Sequence, residues 1–153
     1  MQKYFLFIIL TVFITTACAT TPVSNRSVLI LIPQSQEISL GKQSYDQILK
    51  EEKESEDTQL NQIVSRVGRR IVAVSDMPKL EWEFKLIESE KKNAFALPGG
   101  KVAIYTGLLA VAKNEAGLAT IMSHEIAHVI ARHGAQRMTQ QILLQGAMLG
   151  AGL

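Results

Sequence analysis

Cysteine is almost absent from this 153-residue sequence: Cys18 stands alone, which excludes an intrachain disulfide. Neither sign of charge dominates. Sixteen Lys and Arg face fourteen Asp and Glu, a net charge of +2 that gives no reason to expect nucleic acid or an acidic partner. No apolar run approaches the roughly 20 residues of a membrane-spanning helix. Internal repeats and long low-complexity tracts are also lacking. Acidic residues are missing from one end, for 28 residues follow Glu125 without an Asp or Glu.

What is present at the N-terminus has the plan of a secretory signal. Met1–Lys3 is short and basic, and Tyr4–Ile14 (YFLFIILTVFI) is an apolar run of 11 residues followed by small residues, TTACATT. Thr15-Thr16-Ala17-Cys18 resembles a bacterial lipobox, with threonine where leucine is usual. Residues 1–17 are therefore expected to be a lipoprotein-type signal peptide, with Cys18 lipidated and the chain anchored to a membrane. A plain A-x-A cut after Ala19 is the competing reading. The polar, turn-rich segment to residue 27 reads as a tether. Residues 28–153 form one domain, long enough to bury a core.

Along that domain, Val28–Ile32 is a short extended run ended by Pro33. Glu37–Lys53 reads as a helix with Ile38, Tyr45, Ile48 and Leu49 on its apolar side. Thr58–Ser75 is the clearest amphipathic helix, since Leu60, Ile63, Val64, Val67, Ile71 and Val74 recur at three- and four-residue steps. Its arginines, Arg66, Arg69 and Arg70, read as a solvated face. Trp82–Ile87 and Lys101–Thr106 are expected strands, with a turn at Pro98-Gly99-Gly100 before the second. Gly107–Lys113 reads as a short helix. Asn114 is placed to cap a longer one from Glu115 to about His133, closed by Gly134. Ala135–Leu149 continues as another helix.

All three histidines lie in SHEIAHVIARHG, Ser123–Gly134. His124-Glu125-Ile126-Ala127-His128 is H-E-x-x-H. Residues four apart on a helix are separated by about 40° around the axis and about 6 Å along it, so both imidazoles can reach one metal ion. Glu125 falls on the same side, suited to take a proton from a water beside the ion. The same residues in so apolar a helix would be costly to bury without a partner. In a continuous helix His133 lies about 140° from His128. It is therefore expected to point away, as a C-terminal residue beside the helix dipole.

Three stretches, SQEISLGKQSYDQILKE, NAFALPGGKVAIYTGLL and EAGLATIMSHEIAHVIARHG, resemble metallopeptidase family 48 in order and spacing. That family includes HtpX, the CAAX prenyl protease, mitochondrial Oma-type proteases and periplasmic lipoprotein proteases. The resemblance covers nearly all of Val28–Gly134. It implies an α+β fold: a mostly helical zincin-like domain of gluzincin type, with a small β-sheet beside the H-E-x-x-H helix. It also implies one Zn2+ per chain, with His124 and His128 as ligands and Glu125 as the catalytic base. The family's third ligand is a glutamate on a later helix. With the apolar ending AMLGAGL, this suggests that the sequence is the N-terminal portion of the domain, ending before that helix. Glu88 or Glu90 is the weaker alternative ligand.

The resemblance also implies that the NAFALPGG segment faces substrate, with Asn93 near the site. From the residues alone, Val102-Ala103-Ile104 reads equally as an exposed strand edge to which a peptide adds and as part of an ordinary hairpin. Asn93, Gly99, Gly100, Val102 and Ile104 are the candidate substrate-facing residues. The expected function is a zinc metalloendopeptidase of the bacterial envelope, lipid-anchored on the periplasmic side. Its expected substrates are misfolded or membrane-associated proteins. The alternatives are a catalytically inactive, chaperone-like peptide-binding module lacking the third ligand, or a fragment with no function.

Overall fold

The structure, a computed structural model, describes residues 27–150 and the backbone of a short strand at Cys18–Thr20. The expected signal segment, residues 1–17, and the side chain of Cys18 lie outside the described residues. Strand β1 (Cys18–Thr20) pairs antiparallel with β2 (Ser27–Leu29). Helices α1 (Gln34–Glu51) and α2 (Thr58–Ala73) follow, then β3 (Glu83–Ile87), β4 (Ala94–Leu97) and β5 (Lys101–Tyr105). The short α3 (Thr106–Ala112), the motif helix α4 (Glu115–Ile130) and α5 (His133–Gly150) complete the described fold. It is an α+β domain, mostly helical, with a small sheet beside the motif helix. No helix among the described residues is long and apolar enough to cross a membrane.

The three-stranded sheet has the order β3-β5-β4, with β5 parallel to β3 and antiparallel to β4. Alternation along β5 explains why it sits in the middle. Val102 and Ile104 join Leu86 in the larger core with Val64 and Val67 of α2 and Leu118, Met122 and Ile126 of α4. Ala103 and Tyr105 point the other way, onto Ile87 and Tyr45 of α1. Both faces are covered, so Val102, Ala103 and Ile104 are all 0% exposed. Burying each such branched side chain contributes on the order of 1.5–3 kcal/mol. The expected free edge on Val102–Ile104 is therefore corrected: the edge strand on this side of the sheet is β4.

Helix α1 packs on the core through Tyr45, Ile48 and Leu49 of its expected apolar side, but not through Ile38. Ile38 and Leu40 are exposed, whereas Glu37, Gly41 and Tyr45, spaced by four, are the buried face. Gly41 makes this possible, because a Cβ there would lie 2.3 Å from the carbonyl oxygen of Pro98. The helix thus packs backbone to backbone on the turn between β4 and β5. In that turn Gly99 and Gly100 take φ of 87° and 79°, a region open to glycine at little cost.

Helix α4 starts as expected, with the Asn114 side-chain oxygen accepting a hydrogen bond from the Gly117 amide at 2.9 Å. Its end differs. The helix stops at Ile130, Ala131 caps it, and Arg132 takes φ of 54° before α5 starts at His133. An arginine, not Gly134, is the left-handed residue after the cap.

Candidate active site

His124 and His128 lie one turn apart on α4. Their Nε2 atoms are 3.1 Å apart, and their rings meet edge-on with centroids 4.5 Å apart. An ion at the usual zinc–nitrogen distance of about 2.0–2.1 Å from both would see them roughly 100° apart, near the tetrahedral angle. The pair therefore fits as two ligands of a zinc ion. Glu125, the next residue, is half-buried and borders the same cleft as His128.

That cleft has a volume of about 470 Å³. Its floor is α4 and the start of α5, with Glu125, His128 and His133. One wall is α1, through Leu40, Gly41 and Ser44, and the other is β4, through Phe95, Ala96 and Leu97, with Pro98 of the following turn. The β4 wall has a defined polarity. The Tyr105 amide donates to the Asn93 carbonyl at 3.1 Å, so Asn93 and Tyr105 form a hydrogen-bonded pair. Alternation along the antiparallel ladder then makes Phe95/Ala103 and Leu97/Lys101 the next bonded pairs. The amides and carbonyls of Ala94 and Ala96 accordingly point away from β5, to the open edge.

The substrate-facing candidates divide on this geometry. Asn93 is exposed and leads directly into the edge strand. Gly99 lines a small hollow with Ile38 and Arg132, outside the main cleft. Gly100 is buried and its carbonyl accepts from the Glu83 amide at 2.9 Å. Val102 and Ile104 are core, because β5 is covered on both faces. The residues that sequence reasoning missed are Phe95, Ala96 and Leu97. Their signal was the apolar run after Asn93, which was read as part of a motif and not as a strand.

His133 does not point away, contrary to expectation. Its Nδ1 lies 2.6 Å from Nδ1 of His128, with ring centroids 4.8 Å apart. The turn at Arg132 removes the 140° separation that a continuous helix would impose. Burial holds the His133 imidazole below its ordinary pKa, with smaller contributions from His128, Arg137 and His124. The other candidate ligands are not gathered at the pair. Glu88 is ion-paired with Lys53 at 2.8 Å, and the Glu90 carbonyl packs over Gly107 at the start of α3. Among the described residues, no group of three His, Cys, Asp or Glu converges on one point suited to a metal.

Relatives carry the same stretch of chain. The mitochondrial metalloendopeptidase OMA1 of Schizosaccharomyces pombe is 51% identical over 75 residues, 49% of this chain and 22% of that protein. OMA1 of Saccharomyces cerevisiae is 29% identical over 133 residues, 78% of this chain and 39% of its own length. The beta-barrel assembly-enhancing protease of Escherichia coli K12 is 39% identical over 85 residues, 56% of this chain and 18% of that protein. The chain thus spans between 18% and 39% of the length of these curated relatives. A sequence profile described as Peptidase family M48 matches residues 57–153, well over half of the sequence, and the chain belongs to that family.

Proposed function

We propose that this chain carries the active-site face of a zinc-dependent metalloendopeptidase, with His124 and His128 as ligands of one zinc ion and Glu125 as general base. The observation that carries the reading is the pair of Nε2 atoms 3.1 Å apart, one of them on His128, which lines a cleft together with Glu125 and an open strand edge. A bound zinc ion supplies Lewis acidity at the scissile carbonyl. Glu125 takes the proton of the attacking water and then delivers it to the leaving amine. A peptide in extended conformation adds to β4 through the free backbone groups of Ala94 and Ala96. This mode reads main chain more than side chains and gives broad sequence tolerance.

The substrates proposed are misfolded or membrane-associated proteins of the bacterial envelope. Lipidation at Cys18 after removal of residues 1–17 holds the enzyme on the periplasmic side of a membrane. The signal-like N-terminus and the relative named for β-barrel assembly support this setting. Replacing Cys18 with serine and fractionating cells tests the anchor. Wild-type protein found soluble, with its N-terminus at Thr20, would overturn it.

The functional test is Glu125→Gln. The amide cannot accept the proton but leaves both histidines in place. Cleavage of an unfolded protein such as casein falls on the order of 10²–10⁴-fold, with zinc content unchanged. Undiminished cleavage removes Glu125 from the role. A second reading, an inactive peptide-binding module, is favoured by the two-histidine set among the described residues. It predicts peptide binding with neither chelator-sensitive cleavage nor stoichiometric zinc.

A further inference from the structure

We infer that His133 is the positioning residue for His128, accepting the His128 Nδ1–H bond and so fixing where its Nε2 points. The inference rests on the reading of His124 and His128 as ligands. A metal held between their Nε2 atoms needs a lone pair on each. Neutral His128 must then carry its proton on Nδ1. The atom facing that proton is Nδ1 of His133, at 2.6 Å. His133 must offer a lone pair there, which places its own proton on Nε2.

A ligating histidine almost always donates its remote N–H to a fixed acceptor, which sets tautomer and ring orientation. The acceptor is usually a carboxylate, a carbonyl or water; here it is a second imidazole. His133 is not itself a third ligand in this geometry. It meets the ring nitrogen of His128 opposite to the one that faces His124.

The backbone is built to bring the acceptor there. Arg132 turns the chain at φ of 54°, and its guanidinium is held by the buried carboxylate of Glu37 through Nε at 2.9 Å and Nη2 at 2.7 Å. An arginine in the left-handed region is strained, so this ion pair fixes a turn the sequence alone disfavours. His133 then starts α5 across from His128.

The test compares zinc affinity, by chelator competition, in the full chain and in His133→Ala, His133→Asn and His128→Ala. X-ray absorption counts the imidazoles on the bound zinc. His133→Ala is expected to bind zinc about 10–100-fold more weakly with the imidazole count unchanged. His133→Asn recovers most of the affinity, because its side-chain oxygen sits near the place of Nδ1. His128→Ala loses an imidazole as well as affinity. Wild-type affinity in His133→Ala overturns the inference, as does a lost imidazole in that variant or a failure of Asn to improve on Ala. Unchanged zinc binding in His128→Ala would sink the ligand reading itself and the inference with it.

Discussion

Glu37 and Arg132, 95 positions apart, meet through a single carboxylate oxygen: Oε2 of Glu37 accepts from both Nε and Nη2 of Arg132. Glu37 is 4% exposed, so the carboxylate is tolerated there only because it is paired. The pair ties α1 to the elbow between α4 and α5, which is also the elbow that brings His133 to His128.

Removing Arg132 leaves that charge buried alone. Arg132→Ala is expected to lower unfolding stability by about 3–5 kcal/mol. Arg132→Gly loses the same ion pair but relieves the left-handed backbone, so it is more stable than Arg132→Ala by about 1 kcal/mol. Urea melts of the two variants check the order. A glycine variant no more stable than the alanine variant would mean that φ at 132 carries no strain.

Gly41 is the contact between α1 and the turn that follows β4. A methyl group there meets the Pro98 carbonyl oxygen at 2.3 Å, and backbone cannot yield as a flexible side chain does. Gly41→Ala raises helix propensity, yet it is expected to destabilise the fold by about 1–3 kcal/mol through overpacking. Thermal denaturation gives the sign, and a stabilised variant would show that α1 sits farther from the turn.

The Tyr45 hydroxyl is buried with no hydrogen-bond partner among the described residues. Burial pushes its pKa well above the ordinary phenol value, with Glu83, Glu54 and Asp46 adding to the effect. The sign follows from linkage. Above about pH 10 the unfolded phenol gives up its proton while the folded one keeps it, so folding stability falls as pH rises beyond that point. Tyr45→Phe is expected to be neutral or stabilising by up to about 1–3 kcal/mol at neutral pH, and to flatten the loss above pH 10. Denaturant titrations at pH 7 and 10.5 test both.

Much of the fold was legible because local signals agreed with packing. The apolar repeat from Leu60 to Ile71 marked α2, Asn114 marked the start of α4, and the H-E-x-x-H spacing put two imidazoles on one face. Three features were not legible, for separate physical reasons. The end of α4 was misplaced because its left-handed residue is Arg132, held by a partner 95 positions away, while Gly134 offered a local but unused signal. The buried face of α1 was legible at Tyr45, Ile48 and Leu49 but not in its first half, where its members are a charge and a glycine, Glu37 and Gly41. The strand edge was assigned to β5 in place of β4 because pairing order is a tertiary property. Alternating apolar residues mark a strand but not its neighbours.

That reassignment makes a last prediction possible. On β4, the Ala96 amide points away from β5 and borders the cleft. Proline lacks that donor but removes no hydrogen bond from the ladder to β5, and edge strands accept it. Ala96→Pro should therefore leave the fold nearly intact, with a melting temperature close to that of the wild type. If a peptide strand docks on this edge, the variant loses one main-chain hydrogen bond to substrate. A bond of that kind contributes about 0.5–1.5 kcal/mol, so kcat/KM for an unfolded protein substrate should fall roughly 2–12-fold with zinc content unchanged. Val102→Ala is the control from the core. It destabilises the fold, because Val102 is 0% exposed, but removes no backbone donor from the cleft. A well-folded Ala96→Pro variant that cleaves as fast as the wild type would place the substrate elsewhere in the cleft, against α1.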